Sequence, residues 1–267
     1  MITKLRRAIL TTYGVFNFGI AKGRPFFKAP SPGLLPKIVF EPSSVRDRGW
    51  LLLFNAFMST ALSLMASGDA KLNRGVQWNT WMLLEDSSIF LEPTDIKIQA
   101  LVLVATHGQD IVTPSLCWTL ISQACQMAQS IALHSPTRDA PKDSEAYARR
   151  TCLFWSLFIV DKSVSLSFGR PPLLPGYLYK NVPPLEAAQL AAYAPHKKSK
   201  TSKTSEGFGS FFIMQSKELA DLQGETQDTF YRGGRSGHSE IFALKMRLDV
   251  WISNLREVSK PLCYVVP

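Results

Sequence analysis

The chain has 267 residues, 46% of them hydrophobic, enough for one large or two small cored domains. Charged residues are 19%, low for a free-standing soluble surface, which suggests a piece of something larger or a chain that buries surface against a partner. The net charge of +9 is carried by Lys4, Arg6, Arg7, Lys22, Arg24, Lys28 and Lys37 near the start and later by Lys197, Lys198, Lys200 and Lys203, in a basic run that opens with His196. The middle is near neutral, so the charge describes tails and loops and excludes one continuous basic face.

Residues 1–40 hold no acid, and their arginines could pass for a mitochondrial presequence. A linker or a truncated beginning is favoured, because Gly and Pro follow too soon for a long amphipathic helix. Residues 1–40 are therefore expected to be a basic, poorly ordered segment, with the Pro-rich stretch Lys28–Pro42 a loop. A helical domain should then fill residues 41–260. Trp50–Ala66 is uncharged and helical. Its length raises a membrane span, but Asn55, Ser59, Thr60, Ser63 and Ser67 argue for a core helix. Val76–Leu91 reads as one helix, with Trp78, Trp81, Leu84, Ser88 and Leu91 along it. Pro93-Thr94 opens a helix to His107, which Gly108 ends. Thr113-Pro114 is an N-cap followed by proline at the first helical position, and Cys117, Leu120, Ile121, Ala124, Ala128 and Ile131 form the stripe of the helix that follows.

The stretch that organises the chain runs from Ala148 to Pro172, ARRTCLFWSLFIVDKSVSLSFGRPP. Asp143 or Ser144 can cap its helix. Leu153, Phe154, Leu157, Phe158, Asp161 and Val164 recur at steps of three and four, and Trp155, Ile159 and Leu166 widen that face. Gly169 suits the left-handed position past the helix end, and Pro171 and Pro172 forbid continuation. Asp161 is a carboxylate inside an apolar helix and needs a partner. Arg150 lies about three turns away, too far to reach it. Arg170, folding back from the turn, is the expected partner. Beyond Pro172 the chain is irregular to Gly207, with a flexible basic loop at about 195–207. A helix follows at about Phe208–Phe230, with Phe208, Phe211, Phe212, Leu219 and Leu222, then a flexible loop at Gly233–Gly237. The final helix carries Ile241, Leu244, Leu248, Trp251, Ile252 and Leu255. The fold class is all-α, a bundle of about seven helices with long irregular loops.

The residues Arg149, Arg150, Thr151, Trp155, Phe158, Asp161, Ser165, Gly169, Arg170 and Pro171 resemble the signature of the fungal-specific transcription factor domain. That domain is the regulatory, or middle homology, region of binuclear zinc-cluster transcription factors. Residues 98–134 resemble the helix pair that precedes the signature, and weaker likeness extends the match to roughly residues 35–258. Arg149, Arg150, Trp155, Asp161, Gly169, Arg170 and Pro171 are the motif residues carried over, with structural roles. The resemblance implies a nuclear protein that controls transcription through other regulatory proteins, a homodimer partner or a small-molecule effector, with no membrane.

The family's zinc cluster needs six cysteines in a short basic segment. Cys117, Cys125, Cys152 and Cys263 are scattered and read as small buried hydrophobes. The chain is therefore expected to lack the DNA-reading module, to hold no zinc or other cofactor of its own, and to bind DNA only through that missing segment. No G-x-S-x-G, H-E-x-x-H, phosphate loop or G-x-G-x-x-G occurs, so no catalytic or metal residues are assigned and no enzyme activity is expected. Cys125 and His134 sit about 13 Å apart along a helix, too far for a thiol–imidazole pair. The competing readings are a helical small-molecule-binding protein or enzyme with an unrecognised site, and a protein anchored by Trp50–Ala66.

Overall fold

The computed structural model describes residues 28, 30–64, 70–107, 112–135, 144–186, 190, 208–231 and 237–259. Among them are nine α-helices and no strand: α1 (Leu34–Phe40), α2 (Gly49–Leu64), α3 (Ala70–Leu84), α4 (Ser88–Leu91), α5 (Asp95–His107), α6 (Pro114–Ser130), α7 (Glu145–Phe168), α8 (Phe208–Tyr231) and α9 (His238–Ser259). The all-α expectation holds, and each of the seven expected helices is present. The basic loop at about 195–207 lies outside the described residues, as do residues 1–27, Cys263 and all of the loop at Gly233–Gly237 except Gly237.

Two helices were not foreseen. The expected loop at 28–42 contains α1. Its Pro36 sits in the first turn, where a missing N–H costs nothing, and the Ser31 carbonyl accepts from the Leu34 and Leu35 amides. The helix expected over 76–91 is two helices. Asp86 Oδ1 accepts from the Ser88 amide at 2.9 Å, so a side chain takes over the backbone's role and the helix restarts. Hydrogen bonds from the Ser88 side chain and backbone hold the Asp86 carboxyl below its ordinary value of 3.8. The buried side of α3 is Val76, Thr80 and Leu84. Trp78, Trp81 and Leu91, expected to share one helical pattern, are exposed.

The chain divides into two compact units, Met1–Leu157 and Phe158–Pro267. In the first, α5 is the central element, packed against α2 and α6, while α3 packs on α2. Ile98, Ala100 and Leu101 of α5 and Leu52 and Leu53 of α2 are fully enclosed. The apolar run of α2 is thus core, as expected, because its leucines face protein. Buried Lys97 donates from Nζ to the Ser88 carbonyl at 2.8 Å and to Glu92 Oε2 at 3.1 Å, so its stem is enclosed while its charge is met.

Helix α6 begins as its sequence requires: Thr113 accepts from the Leu116 amide and Pro114 takes the first position. It ends less comfortably. Ala132 has φ 49°, with its amide donating to the Gln129 carbonyl and the Leu133 amide to the Ala128 carbonyl. That is a Schellman ending with an alanine where glycine is usual. Left-handed backbone costs an L-residue about 1–2 kcal/mol, offset in part by glycine's greater freedom when unfolded. Ala132→Gly should therefore stabilise the protein by about 0.5–1 kcal/mol in urea unfolding. Destabilisation would contradict the left-handed geometry.

In the second unit, α8 packs against α9. Trp251 Nε1 donates to the Gln215 carbonyl at 3.2 Å, and Arg247 pairs with Glu225. The buried residues of α8 are Ala220, Leu222, Gly224 and Gln227; of its expected apolar stripe Leu222 is buried and Phe212 is exposed. On α9, Leu244, Trp251, Ile252 and Leu255 are half-buried, but Ile241 and Leu248 are exposed.

Candidate functional site

Helix α7 carries the signature residues. Ser144 caps it, accepting from the Tyr147 amide at 3.1 Å. Its apolar face is buried at Leu153, Phe154, Trp155, Leu157 and Phe158, whereas Leu166 is exposed. By length and composition alone α7 could cross a membrane. Its large apolar residues Leu153, Phe154, Leu157 and Phe158 are here covered by the rest of the chain, as in the core helix of a folded protein. Cys152 on this helix is fully enclosed, and burial pushes its thiol up to about 12. Cys125 is also buried, and Cys117, half-buried, has its thiol raised by the same cause.

The N-terminal half of α7 presents two arginines. Arg149 pairs with Glu145 at 2.9 Å, one turn back. Arg150 reaches Asp95 Oδ1 at 2.9 Å and the Ile131 carbonyl at 3.0 Å. Asp95 is in the first turn of α5 and Ile131 caps the end of α6. One guanidinium therefore bridges a carboxylate at a helix start and a carbonyl at a helix end, where charge of each sign suits the helix dipole. Thr94 caps α5 and also donates to Asp47, whose other oxygen accepts from the Gly49 amide. A polar cleft of about 350 Å³ lies here, lined by Lys28, Asp47, Thr94, Asp95 and Arg150 among others.

The C-terminal half of α7 closes the signature. Gly169 has φ +62°, the Arg170 amide donates to the Ser165 carbonyl at 2.9 Å, and the Gly169 amide to the Leu166 carbonyl at 3.3 Å. This is the Schellman ending expected at Gly169. Pro171 and Pro172 carry no N–H, so the next donors are Leu173 and Leu174. Both donate to Asp161, the first to Oδ1 and the second to Oδ2, each at 3.0 Å. Lys162 Nζ donates to Asp161 Oδ2 at 3.0 Å and to the Leu174 carbonyl, and lies 4.2 Å from the centre of the Phe158 ring. Asp161 and Lys162 are both 0% exposed. Gln227 of α8 donates to the Arg170 carbonyl at 3.2 Å. A Cβ on Gly224 would stand 3.0 Å from Lys162 Cε, so the glycine makes room for the lysine stem.

The expected Arg170–Asp161 pair is therefore wrong. Arg170 is exposed, and its main-chain carbonyl accepts from Gln227. The carboxylate is satisfied by backbone amides and by the adjacent lysine. Adjacent residues on a helix point about 100° apart, which hid Lys162 as a partner. The legible signal was an Asp-Lys pair inside an otherwise apolar helix, because two charges buried side by side are best explained by each other. Asp161, Gly169 and Pro171 do come together, as one clamp on the turn, while Arg149, Arg150 and Trp155 belong to the first unit.

The polar atoms of Asp161 and Lys162 are met by this chain's own groups. No group of His, Cys, Asp and Glu among the described residues is arranged to hold a metal ion.

Residues 41–251 match the family described as "Fungal specific transcription factor domain". The chain belongs to that family. The match falls inside the span the signature implied, and the clamp sits near its middle. A transcriptional regulator of Claviceps purpurea is 33% identical over 137 residues, covering 49% of this chain and 21% of that protein. An uncharacterized transcriptional regulatory protein of Schizosaccharomyces pombe is 33% identical over 128 residues, covering 47% of this chain and 20% of that protein. The lactose regulatory protein LAC9 of Kluyveromyces lactis is 29% identical over 136 residues, 50% of this chain and 15% of LAC9. The matched part thus spans about a fifth or less of these curated relatives. No solved structure is detectably similar to the chain. The chain is a regulatory region of the fungal transcription factor type.

Proposed function

We propose that this region controls DNA-templated transcription by contacting other regulatory proteins or a small effector, as a non-catalytic scaffold working in the nucleus. DNA would be read by a zinc-cluster segment, the only part to which zinc would belong. The observation that carries the reading is the clamp at Asp161–Leu174 within a family match that spans 41–251. Its charged groups satisfy one another and the turn's backbone, so the signature encodes a shape rather than a reaction. The cleft beside Arg150 is a concave polar surface of the first unit where an effector would fit.

The test joins the chain to an unrelated DNA-binding module and measures a reporter in a fungal cell. Reporter output should differ from that of the module alone, and Asp161→Ala should abolish the difference. In a parallel gel-shift assay the chain by itself should bind DNA weakly and without sequence preference, with affinity falling steeply as salt rises. A folded, nuclear fusion that leaves the reporter unchanged would sink the proposal. So would tight, salt-resistant binding of the chain alone to one DNA sequence.

A further inference from the structure

The outer face of α3 is apolar at its centre and charged at its ends. Trp78 is 66% exposed, Met82 49% and Trp81 40%. Two exposed tryptophans on one helix of a folded unit are unusual, since such rings belong in cores and interfaces. Lys71, Arg74, Trp78, Trp81, Met82 and Glu85 are all exposed and share this face at steps of three and four. Glu85 continues the helical hydrogen bonding, its amide donating to the Trp81 carbonyl at 3.1 Å. Gly75 sits on the same side, and a Cβ there would meet nothing within 4 Å.

The arrangement is symmetric about Trp78. Lys71 lies seven residues before it and Glu85 seven after it, about 10 Å to each side along the axis. We propose that α3 docks antiparallel on α3 of a second copy of this chain, about a two-fold axis at Trp78. In that register the two Trp78 rings meet on the axis. Lys71 and Arg74 of each copy face Glu85 of the other. Trp81 lies against the Arg74 guanidinium of the other copy, a cation–π pairing. Met82 fills the open space over the other copy's Gly75, as a flexible thioether can. A parallel pair would set Lys71, Arg74 and Glu85 each against its own kind, so charge selects the antiparallel order. The contact is isologous and closes on itself, giving a dimer rather than a fibre. One helix pair buries less than the roughly 800 Å² per partner of a standard stable complex, so the dimer should form at micromolar concentrations. The inference does not depend on the proposed function.

Sedimentation velocity on the whole chain tests it. The 29.8 kDa chain should shift to twice that mass as its concentration rises through the micromolar range. Trp78→Lys, an exposed change that leaves the fold intact, should leave a monomer throughout. Lys71→Glu with Arg74→Glu makes the face wholly acidic, and Glu85→Lys makes it wholly basic. Each of these should self-associate about tenfold or more weakly, and mixing the two should restore a dimer. A wild-type chain that stays monomeric overturns the inference, whatever other protein the face then proves to take. A dimer indifferent to Trp78→Lys, or a charge-reversed mixture that fails to associate, overturns it equally.

Discussion

Asp161→Ala should destabilise the protein by about 3–5 kcal/mol, the penalty for breaking a buried ion pair from one side. The substitution removes the acceptor of the Leu173 and Leu174 amides, both at 3.0 Å, and leaves the Lys162 ammonium enclosed with the Leu174 carbonyl and the Phe158 ring. Water cannot rescue these groups while Asp161 and Lys162 stay fully enclosed. Asp161→Asn should cost less. Its amide oxygen can still accept one backbone N–H, but its NH₂ faces a second donor and carries no charge for the lysine. Lys162→Met keeps the volume and the apolar stem, and tests the other side of the pair. The double variant Asp161→Asn, Lys162→Met should be less destabilised than the two single changes added together, with a coupling of about 0.5–3 kcal/mol. Urea unfolding of the four proteins measures this. Coupling near zero would show that the two charges do not support one another, and the clamp would then be reduced to its backbone contacts.

Most of this architecture is local, and so it was legible. Thr113-Pro114, Ser144 and Gly169 act on the chain within a few residues of themselves, and the structure shows each doing so. The buried face of α7 followed from spacing, because one helix dominated by large apolar groups has few ways to face a core. What was hidden is what depends on distant chain. The buried side of α3 is set by where α2 lies, so Val76, Thr80 and Leu84 turn inward although the tryptophans are larger. On α8 Leu222 is buried as its size suggests, but so are Ala220 and Gly224, and at Gly224 the Lys162 stem takes the room a side chain would fill. Size alone did not predict the burial of the two small residues. The signature residues were found, but the bonds of Asp161 were assigned to the wrong donor. An arginine side chain was preferred to two backbone amides, which no residue letter displays. The two prolines were the usable clue, since they leave Leu173 and Leu174 as the first free donors after the turn.

Trp155→Ala should cost about 3–5 kcal/mol, a large share of the roughly 5–15 kcal/mol that holds a typical domain together. Trp155 is 5% exposed and meets Phe154 edge to face, with ring centroids 5.3 Å apart and an interplanar angle of 78°. Truncation removes the burial of a large indole, the aromatic contact, and the filling of the space it occupied. Buried Thr151 and Cys152 stand on the same helix one turn away, and neither is large enough to move into the gap. Trp155→Phe separates these contributions. It keeps an aromatic edge for Phe154 and most of the buried area, so it should lose less than half as much. Exposed Trp78 offers the internal comparison: Trp78→Ala on the monomer should change stability by about 0.5 kcal/mol or less, as surface substitutions do. Urea unfolding followed by far-ultraviolet circular dichroism reads all three without relying on tryptophan emission. A loss below about 1 kcal/mol for Trp155→Ala would mean that α7 is peripheral in the first unit. The signature would then mark a surface rather than the element on which the domain is built.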